Sequence, residues 1–247
     1  MKSLLSLTAG LAMAAMLAPT TASALIDNTP HDFSNAAWNF RSGEICRVCH
    51  IPHDVENPNL TDGAGNPLPL LWNRAIDTTT TFQPYQIFST PSSGTMPTVG
   101  QPDGISKLCL GCHDGAVALD EFDAQSDGSR RTATWSGTDT FVQDVNPDAL
   151  IPSMGVGDLR RTHPISMTYP SNLYVHNSPS FAPTSRPLGM SGTIGDVLDN
   201  GKVQCSTCHD VHAEEAMPGT ALLRQGVTPS TATDGRASSL CRTCHLK

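Results

Sequence analysis

Outside four short motifs the chain has no cysteine, and beyond its first two dozen residues it has no long apolar run. The first absence leaves no thiol for a separate disulfide framework. The second leaves no later segment apolar enough to cross a membrane. Aromatic residues make up only 5% of the chain, while Gly (20) and Pro (19) are frequent, so a large protein core is hard to build from these side chains alone. Basic residues are scarce as well. Fifteen Lys and Arg face 23 Asp and Glu, for a formal net charge of −8, which argues against nucleic acid as a partner.

The chain opens with Met1-Lys2 and an uncharged apolar run from Leu4 to Ala18, followed by Ala22-Ser23-Ala24. A basic start, a short apolar stretch and a small-x-small site are the marks of a cleaved secretory signal. Residues 1–24 are therefore read as a signal peptide, with Leu25 opening the mature chain. An uncleaved anchor helix is the competing reading. Cleavage implies a secreted protein, periplasmic or extracellular, with no transmembrane anchor. What remains is enough for one large domain or two small ones.

All eight cysteines fall into one repeated pattern. The motifs are Cys46-Arg-Val-Cys49-His50, Cys109-Leu-Gly-Cys112-His113, Cys205-Ser-Thr-Cys208-His209 and Cys241-Arg-Thr-Cys244-His245. Two thiols three positions apart lie on one face of a helical turn, where they can reach the two vinyl groups of one porphyrin. The histidine that follows then lies under the iron as its proximal ligand. Disulfides, a redox Cys-x-x-Cys or zinc could each use such cysteines. None of them accounts for a histidine after the second cysteine in all four motifs. The pattern predicts four covalently attached haem c groups, each a cofactor carrying its own iron.

The expected fold is a mostly irregular chain wrapped around a row of haems. Short helices surround the motifs, a few short strands occur, and there is little regular secondary structure. Helical stretches are expected at Leu108–Leu119 and Gly195–Asn200, and strands near Thr132–Ser136 and Thr138–Val142. Residues 25–247 form one tetrahaem domain, with haems 1 and 2 in 25–120, a haem-poor insert at about 121–204, and haems 3 and 4 in 205–247. Prolines at 147, 152, 164, 170, 179, 183 and 187 forbid long helices in the insert. Cys46-x-x-Cys-His-Ile-Pro-His53 echoes Cys205-x-x-Cys-His-Asp-Val-His212, so the chain reads as two paired-haem halves.

The chain has nine histidines. With His50, His113, His209 and His245 proximal, five remain as second axial ligands: His31, His53, His163, His176 and His212. Four six-coordinate irons need four of them. His31, His53, His163 and His212 are the candidates, and His176 is left out. His53 and His212 each follow a proximal histidine by three residues. They project from the same side of its iron, so they reach a neighbouring haem instead. Met96, Met154, Met167, Met190 and Met217 have no diagnostic spacing. A full supply of histidine argues for electron transfer rather than an enzyme, because catalysis at haem needs an open position.

These segments, together with His163-Pro164-Ile-Ser and the closing Leu240-Cys-Arg-Thr-Cys-His245, resemble the doubled Cys-x-x-Cys-His multihaem cytochromes. Their order and the chain length are similar to those of the extracellular tetrahaem cytochromes that polymerise into filaments, the cytochrome nanowires. The resemblance covers most of the mature chain, although the insert matches only through His163-Pro164. It implies long-range electron transfer along closely spaced bis-His haems. It also implies head-to-tail stacking into a homopolymer, with a histidine of one subunit ligating a haem of the next. His53 is the expected bridging ligand, ahead of His31, and the iron held by His245 its expected destination. Other redox proteins or extracellular acceptors are the expected partners. A monomeric periplasmic carrier, or a subunit of a haem-dependent reductase, is the alternative.

Overall fold

The computed structural model describes residues 26–50, 71–74, 76–77, 79–85, 97–124, 130–132, 139–151, 157–171, 174–175, 178–225 and 239–246. The expected signal peptide, His53 and His176 lie outside the described residues. Regular structure within them comes in short pieces, as the frequent Pro and Gly dictate. The helices are α1 (Gly104–His113), α2 (Val142–Val145), α3 (Cys205–Cys208) and α4 (Ser239–Cys244). The strands are β1 (Glu121–Ala124), β2 (Arg130–Thr132), β3 (Met167–Thr168), β4 (Tyr174–Val175), β5 (Ser178–Pro179) and β6 (Lys202–Val203). They pair as three two-stranded antiparallel sheets, β1 with β2, β3 with β6 and β4 with β5. Among the described residues, no helix is long and apolar enough to cross a membrane.

Local physics moves several expected boundaries. The helix expected at Leu108–Leu119 starts earlier, after Asp103, and stops at His113. Gly115 takes φ +73° there, and Asp114 Oδ1 accepts the Ala116 amide at 2.8 Å, so the turn after His113 cannot continue the helix. The helix expected at Gly195–Asn200 is one 3₁₀ turn, Gly195–Val197. Asn200 (φ +50°) and Gly201 (φ +73°) then reverse the chain into β6. Of the strand expected at Thr138–Val142, the described residues 139–142 form none. The Phe141 amide donates to Asp144 Oδ2 at 2.9 Å, which starts α2 at Val142.

The apolar interior is divided into small clusters rather than one core. Trp38, Val48, Leu119, Phe122 and Val142 form one, against which Cys49 and Cys112 pack. Met167, Tyr169, Ala182, Leu188, Ile194 and Val203 form another, against which Cys244 packs. Phe82, Leu110 and Leu159 form a third. Described residues of the expected insert are tied to the later motifs. Met167 of β3 pairs with Val203 just ahead of Cys205, and the Ala182 amide donates to Cys244 O at 2.8 Å.

A buried polar node fixes the first motif. Asp123, with 8% of its side chain exposed, accepts from Arg41 Nε at 2.9 Å, Arg47 Nε at 3.0 Å and Asn73 Nδ2 at 2.9 Å. Burial alone would raise its carboxyl, but the hydrogen bonds from Asn73, Arg47 and Arg41 outweigh burial and hold it below the ordinary range. An unfolded aspartate titrates near about 4. The stabilisation from Asp123 is therefore complete above that value and is lost as pH falls through the lower folded value. Asp123→Asn is expected to cost about 3 kcal/mol at neutral pH. The gap between native and variant unfolding midpoints should close below about pH 4. A gap that stays constant down to strongly acidic pH would contradict this account.

Candidate metal centres

Each Cys-x-x-Cys-His motif closes a helical turn. The amide of His50 donates to Cys46 O at 2.8 Å, that of His209 to Cys205 O at 3.0 Å, and that of His245 to Cys241 O at 2.9 Å. The second motif is the last turn of α1. In such a turn, residues three apart share a face, so the two cysteines of each motif project together. No disulfide joins any of the eight cysteines.

Three of the four motif histidines face a second histidine from a distant part of the chain. His31 and His113 have ring centres 5.9 Å apart, His50 and His212 6.2 Å, and His163 and His245 6.2 Å. A metal–imidazole bond of about 2 Å puts two trans imidazoles on one metal with centres about 6 Å apart. Each pair joins one motif histidine to one candidate second ligand. His212 thus stands opposite His50 and not on the side of its own motif histidine. His163 stands opposite His245, the position expected from the sequence for His53. His53 itself lies outside the described residues.

The backbone also sets the ring tautomers. The Nδ1 atoms of His113, His209 and His163 lie 2.7, 2.8 and 2.9 Å from the carbonyl oxygens of Ala149, Ala221 and Pro164. A carbonyl only accepts, so Nδ1 carries the proton and Nε2 keeps its lone pair. Burial, then the neighbouring His113 and His209, lowers His31 to about 4. Burial and the facing histidine likewise lower His50 and His245. These rings are held neutral, the form that binds metal. Aromatic rings flank three of them. Trp72 lies edge-on to His50 at 5.9 Å, Phe181 sits 4.9 Å from His245, and Phe33 sits 5.8 Å from His31.

His209 differs. It is exposed, as His163 and His212 are, but no histidine ring faces it among the described residues. His53 and His176 are the two histidines outside those residues.

The motifs touch in chain order. Cys49 and Cys112 pack on one apolar cluster. Cys109 and Cys205 lie close enough to couple, which raises Cys109 well above its ordinary value and lowers Cys205 to about 7. Cys208 is raised to about 11 by burial and by Cys244, Cys205 and Cys241. A polar clamp locks the middle contact. Gln204 Oε1 accepts from the Ser106 hydroxyl and, at 3.0 Å, from Ser166 Oγ, while its Nε2 donates to Asp103 Oδ1 at 3.0 Å. Ser106 Oγ in turn accepts the Cys205 amide at 3.0 Å. Nothing in the sequence pattern marks Gln204, Ser106 or Arg74 (described below). Their roles come from contacts between residues far apart in the chain.

Among the described residues, no three or more His, Cys, Asp or Glu side chains converge to cage an ion. Histidines meet in twos. A porphyrin supplies four equatorial nitrogens and needs only two axial ligands, so a pair of facing imidazoles beside two thiols fits haem c better than zinc. No protein-family model matches the chain, and no curated protein matches it.

Proposed function

We propose that this chain is a secreted tetrahaem c-type cytochrome that passes electrons along closely spaced bis-His haems, assembled head to tail as an extracellular filament. The observation that carries this reading is the set of three facing histidine pairs, each with one motif histidine. Cys46 and Cys49, Cys109 and Cys112, Cys205 and Cys208, and Cys241 and Cys244 would hold the haems by thioether bonds. His50, His113, His209 and His245 would be the proximal ligands. His212, His31 and His163 would be the second ligands of the first, second and fourth irons. Haem supplies reversible one-electron chemistry when bound, and two histidines on one iron leave no position for substrate. The protein's part is to hold His31, His50 and His245 neutral, aim Nε2 inward, and keep neighbouring motifs in contact.

Mass spectrometry of the secreted form tests this directly. The chain from Leu25 should carry four haem masses, and fewer haems or a retained 1–24 segment would overturn it. Replacing His31, His163 or His212 by Ala should leave four haems attached but turn one iron high-spin in each variant, read by optical and electron paramagnetic resonance spectra. A variant that stays wholly low-spin removes that histidine from the ligand set.

The exposed His209 ring favours a second reading, in which the third iron is open and reduces a small oxyanion. The assembled native protein separates the two. A wholly low-spin form that ignores cyanide and nitrite fits electron transfer. A high-spin component that binds them fits a reductase.

A further inference from the structure

The segment Trp72–Arg74 runs against the first motif. Trp72 bridges His50, and the Asn73 amide donates to Cys49 O at 2.9 Å. Arg74 comes next and is 1% exposed. Its guanidinium donates from Nη1 to Leu119 O at 2.8 Å and from Nη2 to Ala118 O at 2.7 Å. Its Nε is buried without a partner.

The neighbouring charges are matched differently. Arg41 and Arg47 both pair with Asp123, and Arg47 also meets Glu44. Among the described residues, Arg74 forms no ion pair; two carbonyl dipoles are its only acceptors there. A buried cation without a carboxylate is costly and poorly screened. Arg cannot escape that cost by losing its proton, as a buried Lys would. Its chain neighbour Asn73 is bonded to Cys49 O, and its own guanidinium to Leu119 O of the cluster on which Cys49 packs, so the charge lies beside the first motif.

We infer that Arg74 is a fixed buried cation that raises the reduction potential of the iron held by His50, an inference that rests on the haem reading above. A bis-His ferric haem carries one more positive charge than the ferrous form. A nearby buried cation therefore disfavours the oxidised state. The thioether edge of a haem lies opposite its propionates. A charge beside Cys49 thus acts on the iron without being neutralised by the propionates of the same haem. Burial keeps bulk salt from screening the effect.

Spectroelectrochemical titration of the four-haem protein tests the role. Haem content is measured first, and a native protein without four haems defeats the cytochrome reading itself. In a four-haem Arg74→Gln variant, one of the four redox components should move to lower potential. The others should hold, and the shift should be insensitive to added salt. Gln keeps a donor for the carbonyls, so a merely structural role predicts a lower unfolding midpoint with all four potentials unchanged. That result overturns the inference. Arg74→Lys carries the same test should the Gln variant lose haem. Its component should match the native one at neutral pH and fall at alkaline pH by more than the native does, as the ammonium is neutralised. A Lys variant with the native pH response overturns the inference equally.

Discussion

A His53→Ala variant is expected to be secreted as a soluble tetrahaem monomer, with one high-spin iron, the one held by His209. Within the chain His31, His163 and His212 each face a different motif histidine. Only His209 is exposed and unfaced among the described residues. A ligand arriving from another copy needs such a ring at the surface. A bond from His53 of one molecule to the iron of the next is a heterologous contact, which propagates rather than closes. Losing it should abolish filaments outright, because no comparable bond replaces it. A His53→Ala/His163→Ala double variant should show two high-spin irons, since the two histidines serve different metals. His176→Ala should leave both filaments and spin state unchanged. Should His176→Ala give the high-spin iron instead, the third site is completed within one chain and the bridge is lost from the account. Filaments that survive in His53→Ala with every iron low-spin would have the same consequence.

The second large effect is expected at Gln204. Its side chain is 2% exposed and satisfies Ser106 (0%), Ser166 (6%) and Asp103 together. Leu at this position matches the volume roughly but offers no acceptor and no donor. Two buried hydroxyls and a carboxylate oxygen each lose a partner, at about 1–3 kcal/mol per orphaned group. Ser106 retains its contact with the Cys205 amide, which limits the damage. Gln204→Leu should therefore cost about 3–5 kcal/mol in denaturant unfolding of the loaded protein. Ser106→Ala should cost less, and the double variant less than the two together, because both remove the same bond. A loss below about 1 kcal/mol for Gln204→Leu would mean that water replaces the side chain and the clamp is not structural.

Local features were legible in the sequence and long-range ones were not. The absence of long helices followed from the prolines of the insert. A helical turn in each motif agrees with the position of His directly after the second cysteine. Helix ends were misjudged where a side chain, rather than the apolar pattern, decides. Asp114 stops α1, and Asp144 makes a helix of what reads as a strand. At the candidate centres, composition bounded the number of available histidines but could not pair them. The three-residue offset from His209 to His212 excludes one iron without selecting another, and only tertiary contact brings His50 opposite. Placing His53 on the iron of His245 assumed that the ends of the chain are the ends of the row. Tertiary contact brings the His163 ring to face His245. Arg74 and the Gln204 clamp depend wholly on approaches between distant segments and carry no periodic or motif signal.

The pairing of His50 with His212 has a consequence for the order in which the molecule is finished. A chain that emerges from its N-terminus exposes His31 and His113 within its first half, so that pair can meet early. The earliest motif to appear must instead wait for one of the last segments. His50 cannot meet His212 until the third motif has emerged, and His163 then waits for His245 at the very end. Chain order and completion order are therefore different. The first motif histidine to appear is among the late ones to gain its facing ring, and through most of synthesis that side of it is open.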